Sequence, residues 1–251
     1  MNDTQIVLVT GANKGIGRAA AGLLAAAGHT VLIGARDPRR GETAAAELRA
    51  TGAEAYAIGL DVTDPATVRA AADEIDTRFG HLDALVNNAG ITGSGRVNPA
   101  EAYDQVPSTV DPAMVRAVFE TNVLGVIVVT NAMLPLLRRS PAPRIVNVSS
   151  GAASLTLTAD PDGPLTALPA SAAYSPSKTA LNALTVQYAN ELRKDGILVN
   201  AADPGYVDTD INDHHGMLTP DQGAAVLVRL ATLGADGPTG GFFAESGPVP
   251  W

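Results

Sequence analysis

The sequence contains no cysteine, which excludes disulfides, thiolate nucleophiles and zinc–thiolate centres. Histidine is scarce. His29, His81, His214 and His215 are the only four, and none has metal-ligand spacing. No metal is expected, and the adjacent pair reads first as loop residues and second as substrate-pocket residues. Basic charge is thin as well. The formal net charge is −9, and no basic run exceeds Arg39-Arg40 or Arg138-Arg139. Nucleic acid needs a basic footprint, so it is not an expected partner. The longest apolar region, Val118 to Leu137, is interrupted by Glu120, Asn122 and Asn131, which argues against a membrane span. The first strand starts at about Gln5, leaving no room for a signal peptide, and a soluble, cytoplasmic protein is expected. Lysine is the rarest charge: Lys14, Lys178 and Lys194 are the three. Two of them fall inside motifs that suggest chemistry.

Short β-branched runs alternate with longer alanine-rich amphipathic stretches. Strands are expected at Ile6–Val9, Thr30–Gly34, Ala53–Leu60, Asp83–Asn87, Arg144–Val148 and Leu198–Ala201, with an edge strand at Gly240–Ala244. Helices are expected over Gly15–Ala27, from Asp37-Pro38 to about Ala50, from Asp64-Pro65 to near Phe79, and over Pro112–Arg138, Ala172–Lys194 and Pro220–Leu233. Continuous apolar strands separated by helices specify a parallel sheet covered on both faces. The expected fold class is therefore α/β: a single Rossmann-type, doubly wound domain over residues 1–251, with ligands beyond the carboxyl ends of the strands. Residues 151–171 form one long irregular insertion, and a loop of that length is more often functional than idle.

Two motifs fall at such strand ends. Thr10-Gly11-Ala12-Asn13-Lys14-Gly15-Ile16-Gly17 joins the first strand to the first helix. Its glycines permit a tight turn and close backbone approach to a pyrophosphate seated on the helix N-terminus. The second strand ends in Ala35-Arg36, where an NAD site would place a carboxylate for the ribose hydroxyls. Arg36 can then face the 2′-phosphate of NADP(H), with Lys14 helping from the first loop. The plainer reading makes Arg36 a surface arginine with Asp37 serving the ribose, but Asp37 is better explained as a helix cap. Asp61-Val62 and Asn87-Asn88-Ala89-Gly90 end the third and fourth strands, where small residues admit the adenine and ribose. The second motif is Tyr174-Ser175-Pro176-Ser177-Lys178. On a helix it places a phenol and an ammonium on one face, and the positive charge is expected to ease ionisation of the phenol. Pro176 is tolerable there only in a first turn.

With these residues in this order, the chain resembles the classical short-chain dehydrogenases/reductases along its whole length. The resemblance rests on Thr10–Gly17, Asn87–Gly90, Asn122, Ser150, Tyr174, Lys178 and Pro204-Gly205. Asn13-Lys14, Ala35-Arg36, the segment before Tyr174 and the run Gly237–Phe243 are similar to the NADPH-dependent carbonyl reductase branch. The resemblance implies four catalytic residues. Tyr174 would donate a proton to the substrate carbonyl oxygen as hydride arrives, and Lys178 would hold the nicotinamide ribose. Ser150 would hydrogen-bond the same oxygen, and Asn122 would support a proton-relay water. Cofactor contacts are implied at Gly11, Asn13, Lys14, Gly15, Ile16, Gly17, Arg36, Asp61, Val62, Asn88, Ala89, Gly90, Tyr174, Lys178, Pro204, Gly205, Val207 and Thr209. A monomer is favoured, since a long insertion covers the helix face used for oligomer contacts.

Some readings stay open. Ser149 could replace Ser150, and Asn122 could instead satisfy backbone groups in a kinked helix. Asp203 stands where a small or apolar residue is expected. The implied activity is reduction of a ketone, aldehyde or quinone. Alcohol oxidation at the same site and a non-catalytic NADP sensor are the alternatives, and a nucleotide-sugar epimerase is set aside because it needs a further domain. The substrate pocket is expected between Ile91–Val97, the segment after Ser150 and Tyr206–Leu218, with Pro250-Trp251 closing over it.

Overall fold

A computed structural model describes residues 4–93 and 104–251. Its strands are β1 (Ile6–Thr10), β2 (Thr30–Ala35), β3 (Ala55–Gly59), β4 (Ala84–Asn87), β5 (Arg144–Val148), β6 (Leu198–Ala202), β7 (Phe242–Ala244) and β8 (Gly247–Pro248). They form one sheet in the order β3-β2-β1-β4-β5-β6-β7-β8. Every pairing is parallel except β7 with β8. The order reverses direction between β1 and β4, the crevice where such sheets bind their ligands.

The helices are α1 (Gly15–Ala26), α2 (Pro38–Arg49), α3 (Pro65–Phe79), α4 (Pro112–Phe119), α5 (Gly125–Leu137), α6 (Leu155–Thr158), α7 (Tyr174–Leu192) and α8 (Pro220–Ala231). Their starts follow from sequence. The carboxylates of Asp37, Asp64 and Asp111 accept first-turn amides, each followed by proline at the first helical position, which has no amide hydrogen to satisfy. Period-two alternation in the strands splits the interior into two cores. Val7, Val9, Val31 and Ile33 face one side with Leu24 of α1 and Leu227 of α8. Leu8, Leu32 and Leu85 face the other with Ile75 of α3, Met133 of α5 and Leu192 of α7. Helices therefore cover both faces, as the apolar strands require.

The structure departs from sequence expectation in five places. The run expected as one helix over Pro112–Arg138 is continuous over Pro112–Leu137 but widens into a π turn at Glu120–Leu124. The expected α7 start at Ala172 moves to Tyr174, which leaves Pro176 in the first turn. The insertion after Ser150 is partly ordered, with a 3₁₀ turn at Gly151–Ala153 and the short α6. The sheet closes on an antiparallel strand, β8, that no alternation announces. By length and mean hydropathy (1.6), Pro112–Leu137 is apolar enough to cross a membrane, contrary to the sequence expectation. Half of its most apolar window is buried inside the protein, and Val129, Met133 and Leu137 belong to the second core. Its apolarity therefore serves packing against α3 and α7.

Candidate active site

Tyr174 opens α7, and Lys178 lies one turn on, with its Nζ 5.9 Å from the Tyr174 ring centre. Lys178 is buried, and its ammonium donates to the Val148 carbonyl at 2.7 Å. The two serines that end β5 point apart, as successive residues of an extended chain must. Ser149 turns inward and donates to Asn182 Oδ1 at 2.6 Å. Ser150 faces the Tyr174 hydroxyl closely enough to lower its pKa. That settles the open choice between the serines: Ser150 is the one beside the phenol.

The electrostatics correct one expectation. Burial pushes Tyr174 up to about 12; Ser150 pulls it down and the nearby Asp203 charge raises it. The phenol stays high although Lys178 is one turn away, and burial pushes that ammonium down to about 8. Spacing placed the charge correctly but carried no information about solvent. In this desolvated corner the neutral phenol is the stable form.

Asn122 sits within the π turn and is fully buried. Its Oδ1 accepts the Ile91 amide and its Nδ2 donates to the Ile91 carbonyl, both at 2.9 Å. Nδ2 also reaches Ser177 Oγ at 3.0 Å, and Ser177 Oγ donates to the Tyr174 carbonyl at 2.7 Å. The wide turn and the asparagine together tie the strand-four loop to the start of α7. Gly90 lies over this junction: a Cβ there would stand 3.3 Å from Asn122 Oδ1 and 3.4 Å from Lys178 Nζ.

The glycine loop has the form a pyrophosphate needs. Gly11 and Gly15 adopt φ of 64° and 56°, a region L side chains avoid. A Cβ on Gly17 would lie 2.4 Å from Asn88 Nδ2 and 2.8 Å from the Gly11 carbonyl. Asn88 Nδ2 is itself held by the carbonyls of Thr10 (2.8 Å) and Gly11 (3.3 Å), and Thr10 Oγ1 accepts the amides of Asn88 and Ala89 at 3.0 Å. The Asn88 side chain therefore buttresses the loop. Unlike α2, α3 and α4, α1 has no side-chain cap, so its first-turn amides remain for an anion. Across the cleft, the buried Thr209 Oγ1 has no hydrogen-bond partner among the described residues, and the Thr209 methyl is 3.5 Å from where a Gly15 Cβ would be. These features fit a dinucleotide.

The other predicted cofactor residues lie in α1 and beyond the carboxyl ends of β2, β3 and β6. Ile16 packs against the first core. Asp61 accepts the Thr63 amide at 3.0 Å and the Thr63 hydroxyl at 2.7 Å, and Val62 packs under Gly125. Pro204 and Val207 are buried, while Gly205 is exposed with φ 76°. Asp37 accepts the amides of Arg39 and Arg40 at 2.9 and 3.3 Å and is thus a helix cap, as expected. Arg36 is exposed beyond β2. Lys14 is engaged otherwise than expected: its Nζ pairs with Asp210 Oδ2 at 2.7 Å. Asp210 Oδ1 meets His214 Nε2 at 3.2 Å, and His214 Nδ1 meets Asp208 at 2.6 Å. A charge chain thus joins the glycine loop to the segment after β6. His214 belongs to this chain, and Asp208 beside it raises its pKa.

Of the expected pocket walls, residues 94–97 lie outside the described residues. A cleft of about 740 Å³ runs between the insertion and the outer side of α7, lined by Leu155, Leu165, Leu168, Pro176 and Thr179. Trp251 stacks on Phe242 at 5.6 Å, and its carbonyl accepts from the Thr156 amide and hydroxyl. It therefore braces the insertion.

Two contributors escaped the sequence reading. Arg40 and Thr43 line a hollow of about 250 Å³ with Asn13, Lys14 and Glu47; the available signal was that Arg40 lies in the first turn of the helix that follows Arg36. Gln105 is buried, and its Oε1 accepts the Tyr174 amide at 3.0 Å and the Ser171 hydroxyl at 2.6 Å. Its Nε2 donates to the Thr92 carbonyl. It substitutes for a cap on α7 and fixes the residue that carries the phenol. Gln105→Ala is expected to lower kcat roughly tenfold through misplacement of Tyr174, and Gln105→Glu, which keeps the acceptor but loses the donor to Thr92, is expected to recover the loss only in part. Steady-state kinetics of the two variants check this.

Comparison with known proteins agrees with this geometry. Residues 5–217 match the family model for short chain dehydrogenases. A short-chain dehydrogenase of Penicillium roqueforti is 38% identical over 240 residues, spanning 92% of this chain and 89% of its own. NADPH-bound carbonyl reductase from chicken fatty liver superimposes with a TM-score of 0.82 at 30% identity, covering 99% of both chains. A 3-ketoacyl-(acyl-carrier-protein) reductase from Brucella melitensis, complexed with NADH, gives 0.81 at 27% identity over 98% of both chains. A reversed-order parallel sheet, a glycine loop at its switch point and a Tyr–Lys–Ser cluster at the strand ends thus coincide with similarity along nearly the full chain: the protein is an oxidoreductase of the short-chain dehydrogenase/reductase family.

Proposed function

We propose that the protein reduces a ketone, aldehyde or quinone to the alcohol with NADPH. The observation that carries this reading is the convergence of Ser150 and Lys178 on Tyr174. When bound, the cofactor supplies the hydride to the carbonyl carbon. The chain supplies the rest. Ser150 Oγ and the Tyr174 hydroxyl bind the carbonyl oxygen and stabilise the charge that develops on it. Tyr174 then gives that oxygen its proton. The Lys178 ammonium, one turn away, favours the phenolate left behind and holds the ribose. Asn122 keeps the π turn, and through Ser177 the Tyr174 backbone, in place.

The same cluster run backwards oxidises an alcohol, but that direction needs Tyr174 ionised. A phenol pushed up to about 12 is protonated at neutral pH, the form that can donate to a carbonyl oxygen. A sensor without chemistry would have no use for a buried ammonium and a phenol brought together in this way. The insertion lies along the outer side of α7, and this supports the monomer.

The phosphate reading rests on what surrounds the end of β2. Asp37 is committed to its helix, Arg36 is exposed at the end of β2, and Lys14 and Arg40 line one hollow with Glu47, so three cations are available to a 2′-phosphate. Lys14 would exchange Asp210 for the phosphate. We expect NADPH to bind at least about tenfold more tightly than NADH, and Arg36→Ala to remove most of that margin. Titration of protein fluorescence with each cofactor measures both. Equal affinities in the wild type, or tighter NADH, would overturn the cofactor assignment.

A further inference from the structure

Asp203 directly follows β6 and precedes Pro204-Gly205. One of its oxygens is accounted for, since Oδ1 accepts the Gly205 amide at 3.0 Å. The other, Oδ2, lies 3.0 Å from where a Cβ on Gly151 would stand. The carboxylate therefore occupies the space that a side chain at 151 would fill, immediately after Ser150. It is partly buried, yet no lysine, arginine or histidine pairs with it among the described residues. The nearby Lys178 ammonium is committed to the Val148 carbonyl.

The backbone bond does not explain the charge. Asparagine would accept from Gly205 equally well, and a partly buried carboxylate without a counter-ion costs stability. Such a cost persists where a ligand supplies the missing charge. Through Gly151 the carboxylate lies one residue along the chain from Ser150, and its charge is felt at Tyr174, where after burial and Ser150 it is the remaining influence on the phenol.

We propose that Asp203 is a specificity-determining residue, whose carboxylate receives a positively charged group carried by the substrate close to its carbonyl and turns away substrates carrying a carboxylate there. This rests on the reading of Ser150 and Tyr174 as the carbonyl-binding pair. The substrate class it selects is amine-bearing aldehydes and ketones, in keeping with a protein whose net charge of −9 already concentrates cations around it.

The test uses three benzaldehydes that differ only in one ring substituent: aminomethyl, methyl or carboxylate. Each is assayed with NADPH for kcat/KM, and for its dissociation constant from the NADPH complex by thermal shift. The wild type is expected to favour the cationic over the anionic compound by at least about tenfold, with the neutral one between. Asp203→Asn, which keeps the Gly205 bond, is expected to shrink that ratio to within about threefold, and Asp203→Glu to restore part of it. A ratio unchanged in Asp203→Asn overturns the proposal. So does a wild-type preference below about twofold, which decides the matter even if the variant does not fold. Charge-dependent binding without turnover would leave Asp203 as the discriminating residue and overturn carbonyl reduction instead.

Discussion

Tyr174→Phe is expected to lower kcat for carbonyl reduction by about 10²-fold or more, with cofactor affinity within about twofold of the wild type. The substitution removes one oxygen and leaves the ring. The α7 start is held by groups it does not touch, because the backbone amide stays with Gln105 and Ser171 and the carbonyl stays with Ser177. A loss confined to kcat therefore reads out the proton donor. Ser150 keeps its own hydroxyl, so residual turnover measures what one hydrogen bond to the oxygen achieves alone. Stopped-flow measurement under saturating cofactor separates this step from product release.

Lys178→Met is expected to separate activity from stability. Burial lowers the ammonium from 10.5 to about 8. A lysine whose folded value lies below its unfolded value binds its proton less tightly in the native state. The native state is thus penalised in full below about pH 8, and the penalty fades as pH rises from about 8 towards 10.5. An apolar side chain of similar length removes it, so stability at pH 7 should rise by about 1–3 kcal/mol, less the lost bond to the Val148 carbonyl. Activity should move the opposite way, falling about 10²-fold or more because no positive charge remains to favour the phenolate. The pH profile supplies a second readout. Wild-type reduction should decline as pH rises through about 8, where Lys178 loses its charge, and the variant should lack that limb. Calorimetry and kinetics across pH 6–10 check both halves of the prediction.

Much of this was legible because it is local. Apolar runs such as Ile6–Val9, capped helix starts such as Asp37-Pro38, and the glycines of the first loop carry their structure in a few neighbouring residues. Other features depend on partners far along the chain. The Tyr174 amide is held by Gln105, 69 positions away, and Lys14 is held by Asp210, 196 positions away; neither pairing leaves a periodic trace. The π turn was legible only in part: Asn122 could be read as satisfying backbone groups in a kinked helix, and it does so, meeting both backbone groups of Ile91, but the composition of Glu120–Leu124 is that of an ordinary helix. The four-residue spacing of Tyr174 and Lys178 gave their proximity, but their ionisation follows from burial, which only the assembled fold defines.

The central claim is that Tyr174, Ser150 and Lys178 reduce a carbonyl with NADPH as donor. Its most direct test follows the loss of reduced-nicotinamide absorbance with NADPH and with NADH against quinones, aromatic aldehydes and ketones, for the wild type and Tyr174→Phe. The account predicts turnover that prefers NADPH and disappears in the variant. Turnover that survives in Tyr174→Phe, or a preference for NADH, would contradict it.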